Sequence, residues 1–291
     1  MSYDHYDKLS LLLPMSGVDN GTVFTDYSPV PKTVARVGAV TSTAESKFYG
    51  SSGRFNRASG HRLDLFGFPA HGAGDFTWEM WVRPDTVDAV MGFCGFSDLS
   101  SNNNRFTLYM NADGILVLAT QLGTGTGEFQ GGVGPLVAGT WQHVALSRQS
   151  GVCRMFVNGD LLSTFTQDRS FTFTTFRVGY HYALGADQYL NGHIQDLRVT
   201  HGHARYTENF TPPARLVGEI SGTITDDTGA AAIRKIVAFP RAYPIRTFTT
   251  DSAADGTYTL QVPAATEHSR IVLDDAAGHL YNDLIDRVIP E

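Results

Sequence analysis

Two carboxylates that flank a glycosidic bond can cut it, one as acid and the other as nucleophile or base. On a β-strand such a pair stands at i and i+2 or i+4, on one face. Glu79 lies within Asp75-Phe76-Thr77-Trp78-Glu79-Met80-Trp81-Val82-Arg83-Pro84, where its same-face neighbours are Thr77 and Trp81, with Arg83 beyond. Glu128 stands alone in a glycine-rich stretch. No carboxylate pair emerges, so Glu79 reads as an exposed or rim residue of a core strand. His201-Gly202-His203 offers two imidazoles at i and i+2, a spacing able to hold a metal with His181 or His193 as a third ligand. At a strand exit it reads instead as a surface loop. The sequence has no Ser-His-Asp order with a nucleophile elbow and no glycine-rich phosphate loop opening a helix. Gly123-Thr124-Gly125-Thr126-Gly127 falls between strands and reads as a mobile loop.

Recognition chemistry is better represented. Amides hydrogen-bond hydroxyl groups and aromatic faces stack on flat rings. Two segments supply both: Ser101-Asn102-Asn103-Asn104-Arg105, and Tyr180-His181-Tyr182 through Asp187-Gln188-Tyr189. The candidate contacts are Asn102, Asn103, Asn104, Tyr180, His181, Tyr182 and Gln188. The competing reading is of polar connecting loops, with Tyr180 and Tyr182 at a partly buried strand end.

These segments need a scaffold, and the composition indicates which kind. In 291 residues, 11% are aromatic and only 18% charged, which suits a well-buried β protein. The length allows one large β domain and a small one. The net charge is -7 with no cluster of five or more Lys/Arg, which disfavours a nucleic-acid backbone as partner. Cys94 and Cys153 sit far apart in apolar contexts and read as two reduced core thiols. The run Leu9 to Leu13, broken by Pro14, is too short for a signal peptide or a membrane span. The expectation is a protein made in the cytoplasm, and kept there or released by lysis inside a particle.

Helical periodicity is absent, and short apolar-alternating runs recur between turn signals, the pattern of a β-sandwich. Phe76, Trp78, Met80 and Val82 form one purely apolar face. Asn111-Ala112-Asp113-Gly114 is a hairpin turn, and Asn158-Gly159 is the strongest type I′ signal in the chain. In Tyr189 to Val199, strict alternation would set Ile194, Asp196 and Arg198 against Gln195, Leu197 and Val199. Pro212-Pro213 ends the sheet. Further strands are expected after Pro213, with Tyr258, Leu260 and Val262 on one face. From Leu216 onward 6 Lys/Arg stand against 11 Asp/Glu, so this part carries most of the negative charge.

Four matched positions in order carry a family resemblance across roughly the first 215 residues. They are "DFTxExWV" at Asp75 to Val82, "WxHVA" at Trp141 to Ala145, "xVNG" at Phe156 to Gly159 and "YxGxIxDxR" at Tyr189 to Arg198. Together they resemble the laminin-G-like, concanavalin-A-like sandwich. The following Ala204-Arg205-Tyr206-Thr207 and Asn209-Phe210-Thr211-Pro212-Pro213 resemble copies in tailed-phage virion proteins. "SGxIxDxxG" and "TDxxADGxYxL" after Glu219 resemble transthyretin-like, carboxypeptidase-regulatory modules. The implied fold class is all-β: a concanavalin-A-like jelly roll over 1–214 and a small Ig/transthyretin-like sandwich over 215–291. Some relatives hold Ca²⁺, which makes Asp26, Asp98 and Asp196 candidate ligands, with an Asp196 satisfied by backbone amides or by Arg198 as the alternative.

The resemblance implies a non-enzymatic virion structural protein: a host-surface glycan-binding adhesin or a decoration protein. The alternatives are a purely architectural tail, baseplate or capsid-surface component, or a glycan-cleaving enzyme. The implied partners are other virion proteins and host cell-surface polysaccharide, in a homo-oligomer, with neither nucleic acid nor membrane.

Overall fold

The computed structural model describes residues 5–97, 104–122, 125–131, 135–181, 188–226, 228–241, 246–264, 267–273 and 283–290. The chain divides into two compact units, Lys8–Ala214 and Arg215–Glu291, and Met1–Asp7 groups with the second rather than the first. Both are all-β; the described helical residues are two 3₁₀ turns, Tyr6–Lys8 and Arg57–Ser59. Among the described residues no helix is long and apolar enough to cross a membrane.

The large unit begins with β1 (Leu9–Leu13), β2 (Val34–Val37), β3 (Val40–Ser42), β4 (Ser52–Phe55) and β5 (Arg62–Leu65). It continues with β6 (Phe76–Pro84), β7 (Met91–Ser97), β8 (Asn104–Met110), β9 (Leu116–Leu122) and β10 (Gly125–Gln130). It closes with β11 (Gln142–Gln149), β12 (Val152–Val157), β13 (Asp160–Thr166), β14 (Phe176–Val178) and β15 (Gly192–His201). One eight-stranded sheet runs β13-β12-β11-β6-β15-β4-β3, with β1 also on β15; a seven-stranded sheet runs β10-β9-β8-β7-β14-β5-β2. All the strand pairings are antiparallel. The small unit holds β16 (Val217–Thr223), β17 (Lys235–Pro240), β18 (Phe248–Asp251), β19 (Thr257–Pro263), β20 (His268–Leu273) and β21 (Asp283–Val288). These make a β16-β19 pair and a β18-β17-β20-β21 sheet. In β19 Tyr258, Leu260 and Val262 are buried while Thr257 and Thr259 are exposed, as the alternation requires.

The sandwich core forms where apolar faces of the two sheets meet. Phe76, Trp78, Met80 and Val82 of β6 pack with Val144, Leu146, Met155 and Leu197 from their own sheet and Phe96, Phe106, Leu118 and Phe176 from the other. Trp78 sits among Phe106, Phe96 and Phe176 at ring centroid distances of 4.9, 5.6 and 5.7 Å. Each such buried side chain contributes roughly 1.5–3 kcal/mol. Cys94 and Cys153 are buried and unbridged in this core. Burial raises the Cys94 thiol well above its ordinary value and pushes Cys153 up to about 12.

Two expectations change. Gly125 to Gly127, read as the end of a mobile loop, instead open β10 (Gly125–Gln130), which pairs with β9 and carries Glu128 opposite Ala119. Strict alternation fails in β15: the register shifts between Gln195 and Arg198, and Asp196 takes φ of 52°. This β-bulge puts Ile194, Leu197 and Val199 all into the core, and Gln195, Arg198 and Thr200 opposite Trp81, Glu79 and Thr77. Without it two charged residues would share the core face with Ile194.

Candidate ligand-binding face

Each sheet has a second face that does not enter the core, and the two differ. On the eight-stranded sheet Glu79 is completely buried, not a rim residue. Arg198 Nε donates to its Oε1 at 2.6 Å, Tyr206 Oη donates to Oε2 at 2.6 Å, and His143 Nε2 lies 3.3 Å from Oε2. Burial alone would raise the Glu79 carboxyl. The Arg198 guanidinium, with His143 and Arg205, overrides it and holds the group well below the usual carboxylate range. Burial, and then the Glu79 charge, push the Tyr206 phenol up.

The lid over this cluster is the segment after β15. The Tyr206 ring stacks on Phe210 at 3.5 Å, and Phe210 meets Phe156 and His143 edge-on. Phe210 N donates to the Gly159 carbonyl at 3.0 Å, and Leu161 N to Asn209 Oδ1 at 2.9 Å. The Asn158-Gly159 turn has φ of 53° and 88°, as a type I′ turn requires, and a Cβ on Gly159 would run into the Phe210 carbonyl oxygen. A second segment covers the neighbouring row. Gln195 Oε1 accepts from Lys47 N and Phe48 N at 2.8 and 2.9 Å, and the Lys47 ammonium lies 4.3 Å from the Trp81 ring centre.

The outer face of the seven-stranded sheet is built from the alternate residues of the same strands. Phe106, Leu108 and Met110 of β8 face the core, so Arg105, Thr107 and Tyr109 face away. Tyr109, Val117 and Ala119 make a small apolar cluster there. One register row crosses six strands as Ala35, Asp64, Arg177, Gly95, Thr107 and Ala119. Arg177 Nε donates to Asp64 Oδ1 at 2.8 Å, and Arg62 pairs with the same carboxylate.

The chain after β14 lies onto this face. Leu190 N donates to the Gly179 carbonyl at 2.9 Å, Tyr180 bridges Tyr189, and His181 N donates to the Gln188 carbonyl at 3.0 Å. This short antiparallel ladder is anchored to β7 by Gly92 N, which also donates to Gln188 O, at 3.1 Å. A Cβ at Gly92 would collide with the Tyr180–His181 backbone, so glycine is what lets the ladder approach. Tyr180 and Tyr189 face each other at 4.8 Å, and Arg177 lies 5.3 Å from the Tyr180 ring centre. His181, only 3% exposed, stacks on Tyr109 at 4.1 Å and 18°. Burial, and secondly Arg105, lower its pKa to about 3, so the imidazole is neutral at ordinary pH. Its Nδ1 and the Oε1 of Gln188 are buried without a hydrogen-bond partner.

The predicted site residues are therefore dispersed. Tyr180, His181 and Gln188 come together beside Tyr109. Asn104 opens β8 opposite Leu122, at the far end of that strand from Tyr109 and Gly92. Asn102, Asn103, Tyr182 and Asp98 lie outside the described residues. Arg105 and Tyr189, the end residues of the two recognition segments, lie on this face too, and Tyr109 was missed although alternation in β8 marks it. Asp26 Oδ1 accepts from Leu12 N and Ser28 N, and Oδ2 from Ser28 Oγ and Lys32 N. Burial raises the Asp26 carboxyl above its ordinary value and the four donors offset this only in part, but they occupy the oxygens that a cation would need. Asp196 Oδ1 accepts from Tyr49 Oη at 2.6 Å, while Arg198, one of the two alternatives read for it, ion-pairs with Glu79. His201 Nδ1 faces His71 Nδ1 at 3.0 Å with parallel rings, and His193 Nδ1 faces Ser52 Oγ at 2.9 Å. Neither His181 nor His193 joins His201, and among the described residues no group of three or more His, Cys, Asp or Glu could hold a metal.

Residues 61–205 match the family model of the concanavalin A-like lectin/glucanase superfamily. No curated protein matches the chain in sequence. Among solved structures it is similar to domain 4 of AbnA, an extracellular GH43 arabinanase from Geobacillus stearothermophilus. The TM-score is 0.52 at 17% identity, over 68% of this chain and 94% of that one. It is also similar to the binding domain of botulinum neurotoxin DC, with a TM-score of 0.51 at 11% identity, over 98% of this chain and 79% of that one. A structure of botulinum neurotoxin type C gives 0.51 at 9% identity, over 98% and 80%. At these identities the likeness is one of fold, which agrees with the two-sheet architecture and the family match: the large unit of this chain is a concanavalin A-like lectin/glucanase domain of the laminin G-like type.

Proposed function

We propose that the chain is a non-enzymatic glycan-binding protein whose site is the outer face of the seven-stranded sheet, around Tyr109, Tyr180, His181 and Gln188. The observation that carries this reading is the pair of buried, unpartnered polar atoms, His181 Nδ1 and Gln188 Oε1, beside stacked rings. Buried polar groups are otherwise almost always hydrogen-bonded. Hydroxyl-rich rings supply what such a face lacks. The AbnA domain that shares this fold was solved in complex with arabinotriose, and cell entry of botulinum neurotoxin type C depends on two ganglioside molecules.

Binding without cleavage is supported by the state of Glu79. A glycosidase acid needs a raised pKa and a partner carboxylate across the scissile bond. Glu79 is sealed, ionised and committed to Arg198.

The setting we propose is the surface of a tailed-phage particle, as host adhesin or decoration protein, with other virion proteins and host cell-surface polysaccharide as partners. The resemblance of the Ala204 to Pro213 exit segment supports it. The test is binding of the purified chain to intact host-type bacteria and their extracted surface polysaccharide, with and without EDTA. Saturable binding lost in Tyr109→Leu is the expected result. A folded chain that binds neither would leave the architectural reading in place.

A further inference from the structure

His181 and Gln188 are direct cross-strand partners in the ladder after β14, because His181 N donates to the Gln188 carbonyl. Side chains in such a pair leave the backbone on the same face, with Cβ atoms about 4.5–5.5 Å apart. Both end in a buried polar atom without a partner: the ring nitrogen Nδ1 of His181 and the amide oxygen Oε1 of Gln188. The second can only accept a hydrogen bond. The first, on a neutral ring, donates in one of its two tautomers. A donor and an acceptor on two such cross-strand neighbours can be satisfied together by one group that both accepts and donates. A hydroxyl does this. A carboxylate, phosphate or sulfate oxygen cannot, since it brings a lone pair against Gln188 Oε1. A cation cannot accept from the imidazole N–H.

We propose, resting on the glycan-binding reading above, that His181 Nδ1 and Gln188 Oε1 together read a single hydroxyl of a neutral sugar. His181 donates to the hydroxyl oxygen and Gln188 accepts the hydroxyl proton. The Tyr109 ring under His181 fixes the imidazole plane and so the direction of its donor. The charges nearby do not change the selection. Arg177 is engaged with Asp64, and burial first, with Arg105 second, keeps His181 neutral. A sugar hydroxyl makes with this pair the same two bonds that a bridging water would make.

The test is calorimetric titration of the full chain with neutral trisaccharides (arabinotriose, cellotriose, maltotriose) and with trigalacturonate as the acidic counterpart. His181→Phe keeps the stack on Tyr109 and removes the nitrogen; Gln188→Met keeps the shape and removes the acceptor. A neutral sugar is expected to bind, and each variant to weaken it about tenfold. A deoxy congener lacking the one read hydroxyl should weaken wild-type binding to the same degree. His181→Phe should then cost that congener nothing further, because the two changes delete the same interaction. Additive losses would overturn the shared-hydroxyl reading, and so would trigalacturonate binding in place of the neutral sugars, while leaving glycan binding standing. A folded chain that binds none of the panel would overturn the parent reading as well. The deoxy series needs no variant, so it decides the matter even where a substitution unfolds the protein.

Discussion

The two sheets of the sandwich present their outer faces in opposite ways. That of the eight-stranded sheet is closed by its own chain: residues 205–212 lie over Glu79, Arg198 and Phe156, and residues 45–49 over Trp81 and Gln195. Its charges meet one another beneath this cover. The indole N–H of Trp81 lacks an acceptor there and Nδ1 of His143 lacks a partner, but both rings are packed edge-on against Phe48 and Phe210. The face of the seven-stranded sheet instead gathers rings, guanidinium groups and two orphaned polar atoms around a glycine that lets a short ladder lie down. Polar residues outside a β core are thus not one class: the same alternation yields a structural seal on one sheet and, on the other, the face proposed above for recognition.

Breaking the seal should have the largest effect. Glu79→Gln leaves Arg198 buried without its counter-charge, which typically costs about 3–5 kcal/mol. Urea denaturation should show this loss, and unchanged stability would mean that the cluster seals nothing. Gly159→Ala comes next. It combines a strained left-handed residue with a clash at the Phe210 carbonyl, worth roughly 1–3 kcal/mol. Sugar binding by the refolded variant should be preserved, since the lesion lies on the other sheet.

Acid should separate the faces more finely. His181 and His193 have folded pKa values lowered to about 3 and about 4, by burial first and by Arg105 and Arg54 second. A lowered histidine pKa adds stability that is complete above the unfolded value of about 6.5 and is lost as pH falls through the folded value. Stability should therefore decline from pH 6.5 down to about 4 for His193 and about 3 for His181, by on the order of 1–2 kcal/mol per histidine at pH 5. His181→Phe should flatten part of that slope in a pH series of melting curves.

Asp26→Asn turns an acceptor of four hydrogen bonds into a group with its own donors, costing about 1–3 kcal/mol. EDTA should leave the melting temperature where it was, and a shift would return a bound cation to the account. Tyr109→Leu removes a buried ring stacked on His181, at a cost of about 1–3 kcal/mol. Binding of a neutral trisaccharide should also fall at least tenfold.

Much of the scaffold was legible in the sequence because its signals are local. The Phe76 to Val82 alternation, the Asn158-Gly159 turn and the Tyr258 to Val262 face each follow from a few adjacent residues. Glu79 misread because burial of a strand's second face depends on a segment over 120 residues later in the chain. The bulge at Asp196 had a signal, since Ile194, Leu197 and Val199 are spaced by three and then two, but strict alternation overrode it. The glycines of β10 concealed a strand whose stability comes from pairing with β9. At the site, His181 and Gln188 were visible as polar residues flanking one loop. Asn104 was grouped with them on composition, although the length of β8 keeps it apart. Tyr109 lay in plain alternation and was overlooked because a tyrosine inside a strand reads as core.

The segment that seals Glu79 is also the only covalent route from the sandwich to the residues beyond Ala214. Tension passed along the chain from Ala214 reaches the sandwich through Phe210 and Tyr206. It loads first the Phe210–Gly159 and Leu161–Asn209 hydrogen bonds, then the stacked rings, and only then the Glu79–Arg198 pair. The cover that excludes water is in this sense a strain relief, which spreads a pull across several strands before β15 can feel it.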